Sequence, residues 1–184
     1  MQTISTVVVI LFRRWTNMEN ETITGVRKLT TSGIVMALYV VILFMTQSFS
    51  FGAYQIRIAT SLYALSYLFP FLVIPLGLAN FIANMIGGFG IIDMVGGCIV
   101  GIVTSGVIVL IRRFRLPRFM IFFPIVLVPG LGVALWLAPM LNMPYAALAL
   151  SLCIGQSVPA VCGVVLSRVL EPIFFKESSA AIRS

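Results

Sequence analysis

The 184 residues are 60% hydrophobic and 9% charged, with a mean hydropathy of +1.13, against about 45–50% apolar and about 25% charged in an ordinary soluble domain. So much apolar surface cannot be hidden in one core, so lipid must serve as solvent, and the length suits a single helical bundle. The net charge of +7 does not point to nucleic acid, because the cations bracket apolar spans instead of forming a basic domain; with no histidine and five acidic residues, an intramembrane hydrolase or metalloenzyme has little to work with.

Residues 1–28 read as an N-terminal cytoplasmic segment. Thr3–Phe12 is apolar but roughly half the ~20 residues needed to span. Arg13 and Arg14 follow it instead of preceding it, unlike the charges of a secretory signal. Two readings stay open: an upstream extension before a true start at Met18, or a short interfacial helix. Residues 29–170 read as the membrane domain, opening with a span at Leu29–Phe49 behind Arg27 and Lys28. Ser48–Tyr54 forms a loop. Ile56–Phe69 and Phe71–Ile86, divided by Pro70, are either two short or tilted crossings or a re-entrant hairpin; both leave the chain on the same side. Gly87–Gly90 is a turn, and Ile91–Ile111 the next span. Phe119–Leu141 follows, broken by Pro124, Pro129 and Pro139. Asn142–Pro144 turns the chain into Tyr145–Leu170, and residues 171–184 are a cytoplasmic tail. The expected fold is an all-α integral membrane bundle of six helices.

Lys and Arg gather in short cytoplasmic segments. Starting inside, Arg13, Arg14, Arg27, Lys28, Arg112, Arg113, Arg115, Arg118, Arg168, Lys176 and Arg183 all fall on one side of this plot. Of the twelve basic residues only Arg57 falls on the other. Both termini are therefore expected in the cytoplasm, with lipid around the bundle.

Charges at membrane depth cost at least about 2.5–3.5 kcal/mol each on insertion scales and default to functional hypotheses. Arg57 begins the second segment and Asp93 lies near the start of the fourth, both at the outer end. They either pair with each other as a structural bridge or face a solute pocket. Asn80 and Asn84 share one helix face, Gln55 precedes Arg57, and Thr60, Ser61, Tyr63, Ser66 and Tyr67 make the second segment the most polar. Ser61 and Ser66 singly read as interhelical glue, whereas Gln55, Arg57, Asn84 and Asp93 together read as a pocket. Gly33 and Ala37 form a small-xxx-small step that admits another helix. Cys98, Cys153 and Cys162 read as small packing residues, without metal or disulfide spacing. Trp15, Trp136 and Tyr145 read as packing or interfacial aromatics. No Gly-Lys-Ser/Thr string accompanies Lys28 or Lys176, so the chain has no P-loop of its own. Nor does it show two related halves, as a self-sufficient secondary transporter often does. A capture protein without a motor needs a partner.

Three strings carry a resemblance. Arg27-Lys28-Leu29 … Gly33-Ile-Val-Met-Ala37-Leu-Tyr39 resembles the opening helix of the substrate-binding (S) components of energy-coupling factor (ECF) transporters. Phe51-Gly52-Ala53-Tyr54-Gln55-Ile56-Arg57-Ile58 and Ala83-Asn84 … Gly90-Ile-Ile-Asp93-Met-Val-Gly96 are similar to strings of their QueT family, which takes up queuosine precursors. The resemblance spans roughly residues 27 to 170. It implies a six-helix bundle that binds a 7-deazaguanine such as preQ0, preQ1 or queuine from outside, energised by a membrane scaffold subunit and two cytoplasmic ATPases. It further implies that Gln55, Arg57, Asn84 and Asp93, with Thr60 and Asn80 beside them, shape the solute site, and that Gly33 and Ala37 touch the scaffold. No cofactor or metal is implied.

The family pattern continues with an acidic residue shortly after the Arg, where this chain has Ala59-Thr60-Ser61. A neutral-tailed ligand, preQ0 or another purine-like solute, is therefore expected over the cationic preQ1. Two alternatives stand beside this reading: an S component or solitary carrier for another vitamin-like solute, and a non-transporting membrane scaffold in which Arg57 and Asp93 are only a structural pair.

Overall fold

The computed structural model describes residues 25–50, 55–87 and 90–181. In chain order these form α1 (Gly25–Met45), a short α2 (Gln47–Ser50), a 3-10 segment (Ile58–Ala64) continuing into α3 (Leu65–Leu68), a 3-10 turn (Pro70–Leu72), α4 (Val73–Gly87), α5 (Ile91–Arg113), a second 3-10 turn (Arg118–Ile121), α6 (Phe122–Leu141) and α7 (Tyr145–Ala181). There is no strand among the described residues. Among these residues five helices are long and apolar enough to cross a bilayer, and Ile58–Leu68 is a shorter apolar one. The expected all-α membrane bundle is therefore present, with one of its six segments short. The expectations placed on residues 1–24, including Met18 and Trp15, lie outside the described residues, as do residues 51–54 of the loop expected at Ser48–Tyr54 and 88–89 of the turn expected at Gly87–Gly90. The first part of that loop is helical instead, in α2.

The short segment answers the question left open around Pro70. With 3-10 rise of about 2.0 Å and α rise of about 1.5 Å per residue, Ile58–Leu68 extends roughly 20 Å, short of a hydrocarbon core of about 30 Å. Its first end meets α4 near that helix's C-terminus, where Arg57 Nη1 donates to Asn84 Oδ1 at 2.9 Å. Its last end meets the far end of α5, where Arg112 Nη1 donates to the carbonyls of Tyr67 at 2.8 Å and Leu68 at 2.7 Å. The segment therefore traverses the bundle; it is not a hairpin that dips and returns. Pro70 has no N–H to offer the preceding turn, and Arg112 supplies the missing donor. Irregular backbone survives at membrane depth only where protein surrounds it, and every residue from Ala59 to Ser66 is buried.

Glycines set how closely α4 and α5 approach. A Cβ on Gly101 would stand 3.1 Å from the Gly77 Cα. Across the bundle, Gly130 of α6 lies against Cys153 of α7. Helix α1 is peripheral: it buries only Val35, Tyr39 and Leu43, one stripe at four-residue spacing. Ile34, Leu38 and Val41 on α1, Ile99 and Val103 on α5, and Leu150 and Ile154 on α7 all face outward. In water such a surface would be an aggregation hazard; in lipid it is the solvated face.

Three boundaries differ from expectation. α1 begins at Gly25, so Arg27 and Lys28 are helical. α6 runs unbroken through Pro129 and Pro139, while Pro124 sits in its first turn, where no intrahelical donor is required. α7 continues past Leu170 to Ala181, although its apolar part ends at Pro172. Loss of apolar residues marks where lipid ends, and a helix already formed propagates beyond that point.

Buried apolar side chains form two clusters. One joins Tyr39, Leu43, Tyr63, Leu76, Ile108 and Ile125; the other joins Val100, Val133, Leu137, Leu148 and Leu152. The polar residues discussed next lie at the seam between them.

Candidate functional site

Gln55 enters the short helix with φ +43°. A left-handed backbone costs an L-residue roughly 1–2 kcal/mol, and Gln55 is nevertheless buried. Two residues on, Arg57 caps the 3-10 segment and is 3% exposed. Its partner Asn84 is oriented without ambiguity, because guanidinium only donates and a backbone carbonyl only accepts. Asn84 Oδ1 thus receives Arg57, and Asn84 Nδ2 donates to the backbone oxygen of Asp93 at 2.9 Å. One turn earlier, Asn80 Nδ2 donates to the Gly97 carbonyl at 2.7 Å. A side chain on Gly97 would collide with the Asn84 amide, so this asparagine ladder requires glycine on the facing helix.

Asp93 lies in the first turn of α5 and is 1% exposed. The helix N-terminus favours a carboxylate there. Trp136 Nε1 of α6 donates to Asp93 Oδ1 at 3.0 Å. Asp93 Oδ2 and Asn80 Oδ1 are buried and have no hydrogen-bond partner among the described residues. Each such acceptor costs about 1–3 kcal/mol when left unsatisfied away from water. Asn84 links the Arg57 guanidinium to the main chain of Asp93.

On the other side of Arg57, the Thr60 hydroxyl reaches the Arg57 carbonyl at 2.7 Å and Gln156 Oε1 of α7 at 2.8 Å. Tyr63 meets Tyr39 hydroxyl to hydroxyl at 3.1 Å, with stacked rings. Gln55, Arg57, Thr60, Tyr63, Asn80 and Gln156 line a cavity of about 10 Å³, closed by Val100, Pro129, Val133 and Leu152. That is the room of roughly one water molecule, whereas pockets for organic ligands hold about 300–1,000 Å³. Any larger solute must part the elements around the seam.

The structure thus brings four of the expected residues, Gln55, Arg57, Thr60 and Asn80, to one cavity wall. Asn84 and Asp93 form the tier beyond it. Gly33 and Ala37 stand apart, exposed on α1, with nothing within 4 Å of the position a Gly33 Cβ would take. Two residues at the centre were not singled out from sequence. Gln156 carried a signal, a long amide inside an apolar span. Trp136 carried none that separates it from a belt aromatic; it packs against the second cluster, as read from sequence, and in addition donates to a buried carboxylate.

A family model described as QueT transporter matches residues 29–172. Comparisons with curated proteins and with solved structures gave no match.

Proposed function

The chain belongs to the QueT transporter family, and from that premise we propose that this multi-pass membrane protein is the solute-capturing S component of an ECF-type transporter. Its proposed solute is a 7-deazaguanine. The observation that carries this reading is the pair of buried, unpartnered acceptors, Asp93 Oδ2 and Asn80 Oδ1. They lie one turn apart along the α4–α5 contact. A guanine-like edge presents adjacent N–H donors, which a carboxylate and an amide oxygen can accept, and a ring carbonyl that suits Arg57. Gln55, Thr60 and Asn84 complete the proposed site by holding Arg57 and the cavity wall.

Thr60 favours a neutral ligand. It places a hydroxyl whose single proton is shared between the Arg57 carbonyl and Gln156 Oε1 where a carboxylate would meet an ammonium. We therefore expect preQ0 to bind more tightly than preQ1. The chain itself is not proposed to be an enzyme: without a P-loop, its energy would come from two separate ATPase subunits through a membrane scaffold. The small-residue face of α1 at Gly33 and Ala37 is proposed to meet that scaffold. Six crossings would return both termini to one side, and the arginine excess favours the cytoplasmic side of the cell membrane for them.

Titrating purified, detergent-solubilised protein with preQ0, preQ1, queuine and a vitamin panel tests the reading. Binding of a deazaguanine, weakened at least tenfold by Asp93→Asn, would support it. A vitamin bound instead would keep a transport role and discard the queuosine assignment.

A further inference from the structure

Trp136 does more than satisfy a buried charge. Its indole N–H reaches one oxygen of the Asp93 carboxylate and leaves the other unpartnered. A carboxylate with no side-chain contact rotates freely about its Cβ–Cγ bond, and a hydrogen bond to one oxygen is enough to orient it. Asn84 fixes only the Asp93 backbone carbonyl, so among the described residues Trp136 is the group that sets the carboxylate. The ring is itself seated by a missing side chain. A Cβ on Gly96 would stand 2.7–2.9 Å from Cζ2, Cη2 and Cε2 of Trp136, so the indole lies against bare backbone one turn after Asp93. Gly96 on α5, Trp136 on α6 and Asp93 on α5 make one unit. From this geometry we propose that Trp136 is a positioning residue: it pins Asp93 Oδ1 so that Oδ2 is presented to the donor edge of the solute. Gly96 is the seat that allows it.

The proposal rests on the solute reading above, so its test has one arm without any ligand. In a Trp15→Phe background Trp136 is the sole tryptophan, and its indole N–H gives one resonance in ¹⁵N-labelled protein in detergent. A hydrogen bond to a carboxylate shifts that proton downfield. Asp93→Asn and Gly96→Ala should each move it upfield; a resonance unmoved by both overturns the proposal whether or not any solute binds.

The second arm uses preQ0 and its analogue lacking the 2-amino group. Trp136→Phe keeps an aromatic ring but loses the donor and the three atoms that touch Gly96. It should weaken preQ0 about tenfold, as for loss of a bond to a charged group, and leave the 2-deamino analogue nearly unchanged. In the Asp93→Asn background the same substitution should have little effect on either. Gly96→Ala should mimic Trp136→Phe alone and add nothing to it. Equal weakening of both compounds, or full additivity with Asp93→Asn, would reduce Trp136 to a packing residue and sink the proposal. If neither compound binds even the unsubstituted protein, the solute reading fails and the resonance alone decides the role of Trp136.

Discussion

The two ends of α5, about 29 Å apart along its axis between Asp93 and Arg112, treat their charges in opposite ways. At the arginine-rich end, Arg112 donates to two backbone carbonyls left without intrahelical donors where the short segment ends, and Arg118 is paired with Glu171 of α7. At the other end, Asp93 is more deeply buried yet keeps one oxygen unpartnered, and Asn80 does the same nearby. Both arrangements place polar groups where lipid or protein surrounds them, so depth alone does not separate them. What separates them is leftover capacity. A charge that closes the account of a broken helix is structural, whereas an acceptor buried without a partner among the described residues is where the proposed solute would place a donor.

Arg112→Ala tests the structural half and should have the largest effect. Two carbonyls lose their donor, at about 1–3 kcal/mol each, so the thermal midpoint in detergent should fall by the equivalent of about 2–6 kcal/mol. Solute affinity of the fraction that stays folded should hold. If affinity falls while the midpoint holds, the division between the two ends is wrong. Asp93→Asn should do the reverse. An amide N–H facing a solute donor should weaken binding about 10- to 100-fold, the range for a hydrogen bond to a charged group. The midpoint should hold or rise, because a partly unsatisfied buried charge is gone. Gly97→Ala sits between them. Its methyl group would displace Asn84, loosening the Arg57 bond, and should cost about 1–3 kcal/mol of stability, as overpacking does, together with a several-fold loss of affinity.

How much of this was legible in the sequence depends on what each residue had to signal. Hydropathy and the arginine bias gave the span order, because lipid imposes one requirement on every residue of a crossing. Arg57, Asn84 and Asp93 stood out because polar groups are rare at that depth, and all three belong to one hydrogen-bonded chain. The shortness of the second segment was legible, because Pro70 bounds it. The donor at its end was not: Arg112 reaches the carbonyls of Tyr67 and Leu68 from far along the chain, and no local pattern announces such a donor. Gln156 was visible as a polar residue in an apolar span, but its link to Thr60 is a tertiary contact between residues 96 apart in sequence. Trp136 was hidden by its own commonness, since an aromatic near a span end is the usual case and only a neighbour's carboxylate makes it special. The glycines at 96 and 97 looked alike in sequence, yet one seats an indole and the other admits an asparagine amide.

The smallest effect sharpens the comparison most, because it applies the same change at both ends. Arg115 and Gln55 both have left-handed backbones, with φ +53° and +43°. At Arg115 the reason is local. The N–H of Arg115 bonds the Arg112 carbonyl and the N–H of Leu116 bonds that of Ile111, each at 3.0 Å, which is the Schellman pattern closing α5. Gln55 leads into the 3-10 segment and its side chain lines the cavity, so the proposed site is the expected reason for its conformation. Glycine at either position relieves the backbone but adds chain entropy to the unfolded state, so the net change in stability should stay within about 1 kcal/mol. Arg115→Gly should leave solute affinity untouched. Gln55→Gly should hold or raise the thermal midpoint while weakening binding several-fold, since it removes an amide from the cavity wall. If both substitutions leave affinity unchanged, the strain at Gln55 serves only the turn, and the solute site begins at Arg57.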